Sequence, residues 1–248
     1  MKKLFITALF VSSLLQAQIV TVALAANVSY AIDELKSTFY EKYPDTKLRI
    51  IIGGSGKLKA QIQNGAPYDI FMSANMRYPE ALYEEKIAIT KPKIYAEGAL
   101  AILSQKARDF SKGIAIVKDS KVRRIAIANP KTAPYGKAAM EALKNAKLYA
   151  LIKTKLIYGE SIAQTVTYTM TAADLGFIAK SALYSPKMKD FQKEKNWIEV
   201  DAHLYTPIAQ GIVILKHAKN NRAAEAFYNF IISPEAKKIF KKYGYNTI

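Results

Sequence analysis

Four short segments hold the residues whose types and spacing could do chemistry, and in each the chemistry is recognition of an anion by neutral donors. The first is Ala25-Ala26-Asn27. Small side chains there let the backbone at Ala26 approach a ligand, and Asn27 offers a side-chain amide donor. The second is Gly53-Gly54-Ser55-Gly56-Lys57-Leu58. Backbone N–H groups and the Ser55 hydroxyl could wrap an oxyanion, although the spacing of a P-loop is absent. The third runs from Asn129-Pro130 to Ala133-Pro134-Tyr135-Gly136, where Tyr135 could give its hydroxyl or its backbone N–H. A weaker fourth, Glu160-Ser161-Ile162, opens a helix with a serine.

Each segment follows an expected strand and begins an expected helix. Helix N-termini carry unpaired N–H groups and a dipole that favours negative charge. Singly, each segment has a plainer reading. Asn27 reads as a helix N-cap, the glycines as a tight turn, and the third segment as an ordinary Pro/Gly turn. Together they describe a cleft lined by neutral donors beyond the ends of strands, where open α/β sheets bind ligands.

Catalysis finds little support in the same chain. The two histidines, His203 and His217, lack metal-ligand spacing and read as surface residues. No G-x-S-x-G elbow is present. Asp69 and Asp174 lie beside expected strands and read as structural carboxylates. The chain has no cysteine, which excludes disulfides, thiolate metal sites and a lipid-anchored N-terminal cysteine. No enzyme activity, no cofactor and no directly bound metal cation are expected. The net charge of +17 raises the question of nucleic acid. No zinc finger or RNA-recognition motif accompanies it, and Lys237-Lys238 with Lys241-Lys242 fall at helical spacing on a solvated face. No nucleic-acid partner is expected, and a monomer is.

The elements that must position the four segments follow from hydrophobic periodicity. Residues 1–17 read as a secretory signal: a basic head at Lys2-Lys3, an apolar run from Leu4 to Leu15, then Gln16-Ala17. The run is too short to span a bilayer. Cleavage after Ala25 is also possible by pattern, but it would remove the first strand, so cleavage after Ala17 is preferred. Lys2 and Lys3 are the only charged residues before position 18, so the mature chain would carry +15 against +17 for the full chain. Strands are expected at Ile19–Val22, Lys47–Ile52, Asp69–Met72, Ala99–Leu103, Ile125–Ala128, Leu156–Tyr158, Leu175–Ile178 and Ile208–Leu215. Helices are expected from Asn27, from about Leu58, over Ala138–Ala146 and Ile162–Met170, and over Arg222–Ile232 and Pro234–Tyr243. The alternation is that of parallel α/β sheets. No linker divides the chain into sequential halves, so two α/β lobes with interleaved chain are expected: 18–95 plus 206–248, and 96–205.

These residues resemble the periplasmic molybdate-binding proteins of the ModA family over nearly all of the mature chain. The resemblance rests on Ala25-Ala26-Asn27, Gly54-Ser55-Gly56-Lys57-Leu58 and Gly65-Ala66-Pro67-Tyr68-Asp69-Ile70-Phe71-Met72-Ser73-Ala74. It continues through Asn129-Pro130, Pro134-Tyr135-Gly136, Asp174-Leu175-Gly176-Phe177 and the ending Phe240 to Tyr245. It implies a type II periplasmic binding protein that closes on its ligand like a hinged clam and delivers it to an ABC-type membrane permease. It also implies ligand-binding roles for Asn27 as a polar donor, Ser55, Tyr135, and Ile162 through its backbone N–H. Some members use a tyrosine after the Leu-Gly strand, and Ala179 stands there. The implied ligand is molybdate or tungstate. Both are dianions without a proton at neutral pH, so a donor-only site accepts them and penalises protonated phosphate. Sulfate has shorter bonds and must be told apart by size. The alternatives are a binding protein for sulfate, thiosulfate or phosphate, a ferric-ion carrier, a secreted phosphatase and a basic adhesion protein.

Overall fold

The computed structural model describes residues 18–246, so the expected signal at 1–17 lies outside the described residues. The apolar run that begins the described chain forms β1 (Gln18–Ala25), buried continuously from Val22 onward. A strand covered on both faces needs such an unbroken apolar run. A 3-10 turn (Ala26–Tyr30) leads into α1 (Ile32–Lys42), followed by β2 (Thr46–Gly53), α2 (Ser55–Gln63), β3 (Ile70–Met72), α3 (Arg77–Glu84) and β4 (Lys93–Gly98). The middle of the chain forms β5 (Leu100–Leu103), β6 (Ile125–Ala128), α4 (Pro134–Asn145), a short α5 (Tyr149–Ile152), β7 (Leu156–Gly159), α6 (Ile162–Thr171), β8 (Leu175–Ala179) and β9 (Trp197–Glu199). The last part adds β10 (Ile208–Ile214), α7 (Arg222–Ile231) and α8 (Pro234–Lys242).

Two five-stranded sheets result, ordered β2-β1-β3-β10-β4 and β7-β6-β8-β5-β9. Each is the core of one α/β lobe, and β10 returns the chain to the first sheet after the second is complete. Ala99 alone separates β4 from β5. The strands joined by helices pair in parallel, β1 with β2 and β3, and β6 with β7 and β8. The sheets are nevertheless mixed, not wholly parallel as periodicity suggested. β10 runs antiparallel to β3 and β4, and β5 antiparallel to β8 and β9. Strands that enter a sheet from the other lobe carry no helix to set their direction, and apolar patterning does not encode direction.

The helix starts matter most for the site. α2 begins at Ser55 and α4 at Pro134, earlier than the apolar pattern places them. Glycine and proline lower helix propensity in the interior but are tolerated in the first turn. Asn27 is not an N-cap. It sits inside the 3-10 turn, whose cap is Ala25. α3, β4 and β9 had no clear signal. β4 carries Lys93 and Glu97 on an edge strand, and β9 has only three residues.

Asp69 and Asp174 both serve structure. Asp174 accepts from the N–H groups of Arg123 and Arg124 and pairs with Arg108 at 3.2 Å. Asp69 is buried, accepts from Thr21 N–H at 2.7 Å and meets His217 Nδ1 at 2.9 Å. It thereby ties β1 to the start of β3 and the segment after β10. Asp69→Ala is expected to cost about 1–3 kcal/mol, because it strands the Thr21 N–H. Urea unfolding would measure this, and a change below about 0.5 kcal/mol would contradict it.

Candidate functional site

Four helical segments begin at one place. They are the 3-10 turn after β1, α2, α4 and α6, the first two from one lobe and the last two from the other. First-turn N–H groups have no intrahelical acceptor. The caps Ala25, Gly54 and Ala133 supply no side-chain bond to them. Only Ser161 does, accepting from Gln164 N–H at 3.2 Å at the start of α6, and this leaves the Ile162 N–H untouched. None of the four segments has an acid in its first turn. That departs from the usual compensation of the helix dipole by Asp or Glu. The four positive ends are left for something else that is negative.

Between them lies a cavity with about 210 Å³ of space free of atoms, its mouth included. Ala26, Asn27, Ser55, Tyr135 and Ile162 all line it, so the structure brings together every site residue read from the sequence. The remaining lining is Ala, Gly and Pro, with no charged side chain. Ser55 is buried, and its Oγ accepts from Ala74 N–H at 3.0 Å. That bond uses a lone pair and leaves the hydroxyl proton available. The lobes meet around the cavity. Gly56 N–H donates to Thr132 O at 2.9 Å, and Lys57 pairs with Glu160 at 3.3 Å.

The side chains of Asn27 and Tyr135 are engaged elsewhere. Asn27 Nδ2 donates to Gln210 Oε1 at 2.8 Å and to Tyr245 Oη at 2.9 Å. Tyr135 Oη accepts from Gln210 Nε2 at 3.1 Å. The Asn27 side-chain amide expected as a ligand donor is therefore already spent, which leaves its backbone N–H, while Tyr135 keeps its backbone N–H at the start of α4. Ala179 is fully buried at the end of β8 and does not line the cavity. Two residues on, Ser181 Oγ donates to Asn27 O at 2.9 Å, so this segment reaches the site through its support.

Gln210, Tyr95, Tyr245 and Ser181 form a buried polar layer behind the cavity, and sequence reasoning missed them. Tyr95 Oη donates to Gln210 Oε1 at 2.8 Å, and Tyr245 Oη to Asn27 O at 2.8 Å. One signal was readable: Gln210 is the lone polar side chain in the strand Ile-Ala-Gln-Gly-Ile-Val-Ile, and buried amides are kept where they have partners. Burial pushes the Tyr95, Tyr135 and Tyr245 hydroxyls above their ordinary value of 10.0. A group whose folded value is raised contributes fully below its unfolded value and loses that contribution as pH climbs towards the folded one. The layer should therefore stay neutral, and ligand affinity should be flat from about pH 7 to pH 9. Titrations across that window check this, and a falling affinity would contradict it.

Donors converging from two interleaved α/β lobes on one neutral cavity define a two-lobed solute-binding protein. Residues 20–246 match the family described as bacterial extracellular solute-binding protein. The molybdate-binding protein ModA of Azotobacter vinelandii is 38% identical over 232 residues, 93% of this chain and 90% of that protein. The ModA of Rhodobacter capsulatus is 36% identical over 231 residues, covering 92% and 88%. The solved structure of the Azotobacter vinelandii periplasmic molybdate-binding protein superposes with a TM-score of 0.85 at 31% identity, covering 92% of this chain and 99% of that one. The chain belongs to the ModA family of bacterial extracellular solute-binding proteins.

Proposed function

We propose that this protein captures molybdate or tungstate in the periplasm and delivers it to an ABC-type permease, without catalysing a reaction. The observation that carries this reading is an uncharged cavity onto which four helical segments open. Its lining contains no carboxylate, no charged side chain of either sign, and four helix beginnings without an acid. A fully deprotonated dianion suits such a site. Hydrogen phosphate brings a proton that needs a strong acceptor, and the lining supplies no carboxylate to take it.

In this reading the ligand's oxygens take the backbone N–H groups at Ala26 and Asn27, the Ser55 hydroxyl, and the N–H groups of Tyr135 and Ile162. The lobes are residues 18–95 with 206–248, and 96–205. Binding shifts their open–closed population because only the closed form presents both donor sets. Cleavage after Ala17 leaves β1, an interior strand between β2 and β3, whole. The product acts as a monomer with no further cofactor.

The test is calorimetric titration of the mature protein with molybdate, repeated in excess sulfate and with tungstate. Tight one-to-one binding that survives sulfate is expected. Sulfate or phosphate displacing molybdate at equal concentration would overturn the ligand assignment.

A further inference from the structure

Among the described residues, one buried side-chain oxygen or nitrogen lacks a hydrogen-bond partner, and it is Asn27 Oδ1. Asn27 is wholly buried and lines the cavity. Its Nδ2 is committed to Gln210 and Tyr245, so the unpartnered oxygen is the opposite branch of the same amide. An acceptor there opposes the bare oxygens of a deprotonated anion and suits a water or another proton-bearing guest.

The neighbouring groups permit a second, complete arrangement. If both amides turn over, Gln210 Nε2 takes the place of Oε1 and donates to Asn27 Oδ1 and to Tyr95 Oη. In the present arrangement Oε1 accepts from Asn27 Nδ2 and Tyr95 Oη, each at 2.8 Å. Tyr95 keeps Ser73 O, at 3.2 Å, as the acceptor for its own proton. Gln210 Oε1 then faces Tyr135 Oη, now 3.1 Å from Nε2, and accepts its proton. The Tyr245 hydroxyl turns its proton from Asn27 O to Oδ1, while Ser181 continues to donate to Asn27 O. Every member keeps a partner, and Asn27 Nδ2 moves to the position that Oδ1 vacates. Turning Asn27 alone would set oxygen against oxygen, and turning Gln210 alone would set one NH2 against the other, so the two must turn together.

We infer that Asn27 and Gln210 form a coupled amide switch: a deprotonated oxyanion in the cavity selects the turned arrangement, and Gln210 acts as a positioning residue for that anion without touching it. This rests on the oxyanion reading above. It adds a donor that the static arrangement withholds, and it links the ligand to Tyr135 of the other lobe.

Two measurements test it. In nuclear Overhauser spectra of the mature protein, the Gln210 side-chain amide protons should contact the Tyr135 ring without anion. With saturating molybdate they should contact the Tyr95 ring. Unchanged contacts under proven binding would overturn the switch alone, whereas a mature protein that binds no molybdate would overturn the oxyanion reading and the switch with it. The second is a double-mutant cycle. Gln210→Glu, titrated at a pH where its carboxyl is ionised, only accepts, so it holds Asn27 Nδ2 away from the cavity. It should weaken molybdate binding by about ten- to a hundredfold, the worth of one bond to a charged group. In an Asn27→Ala background the same change should cost much less, since the general charge repulsion is common to both backgrounds and cancels. Equal losses in both backgrounds would overturn the inference.

Discussion

Gly56→Val is expected to abolish tight molybdate binding while each lobe stays folded. Gly56 lies in the first turn of α2, where its N–H donates across the lobes to Thr132 O. A Cβ at this position would stand 2.7 Å from that oxygen, 3.0 Å from Thr132 Cα and 3.0 Å from Tyr78 Oη. Two of these are backbone atoms and cannot swing aside. The cheapest relief is to part the lobes, which separates Ser55 and Asn27 from Tyr135 and Ile162. Losing two charge-assisted bonds from the second lobe should cost about 3–6 kcal/mol. Calorimetry reads the affinity, and small-angle scattering should show no compaction on adding the anion. Binding as tight as that of the unmodified protein would show that closure across Gly56 is not needed.

Ser55→Ala should weaken molybdate binding by about 1.5–3 kcal/mol, the worth of one hydrogen bond to a charged group. The argument is a count of protons. Ser55 Oγ is buried and accepts from Ala74 N–H at 3.0 Å, so the donor that remains points to no other bond. The substitution also strands the Ala74 N–H, so some loss of stability should accompany the loss of affinity. Ser55→Thr, which keeps the hydroxyl but adds a methyl in a tight cavity, separates the two effects. Denaturant unfolding and titration of both variants give the comparison. An Ser55→Ala protein with unchanged affinity would remove Ser55 from the site.

Much of this architecture was legible because its signals are local. β1, β2 and β6 are β-branched apolar runs, and α7 and α8 begin at Arg222 and Pro234, where their patterns place them. The site was legible for the same reason: each of its donors sits where a strand gives way to a helix, and glycine, proline and small residues mark those points. What could not be read is non-local. The antiparallel entry of β5 and β10 depends on the path between lobes. The roles of the Asn27 and Tyr135 side chains depend on Gln210, 183 residues from one and 75 from the other. Asn27 was read as a cap or a ligand donor because those are the uses visible within a few residues. Its actual partners, Gln210 and Tyr245, come from the far end of the chain.

The central claim is that one deprotonated oxyanion is held by donors from both lobes in a cavity free of charged side chains. The most direct test is the crystal structure of the mature protein with tungstate, located by the anomalous scattering of tungsten. The account predicts one strong peak in the cavity. The oxygens around it should lie about 2.7–3.1 Å from Ser55 Oγ and from the backbone nitrogens of Asn27, Tyr135 and Ile162. Tungsten instead beside the basic side chains of Arg77 and Lys131, in the neighbouring cleft, would contradict it.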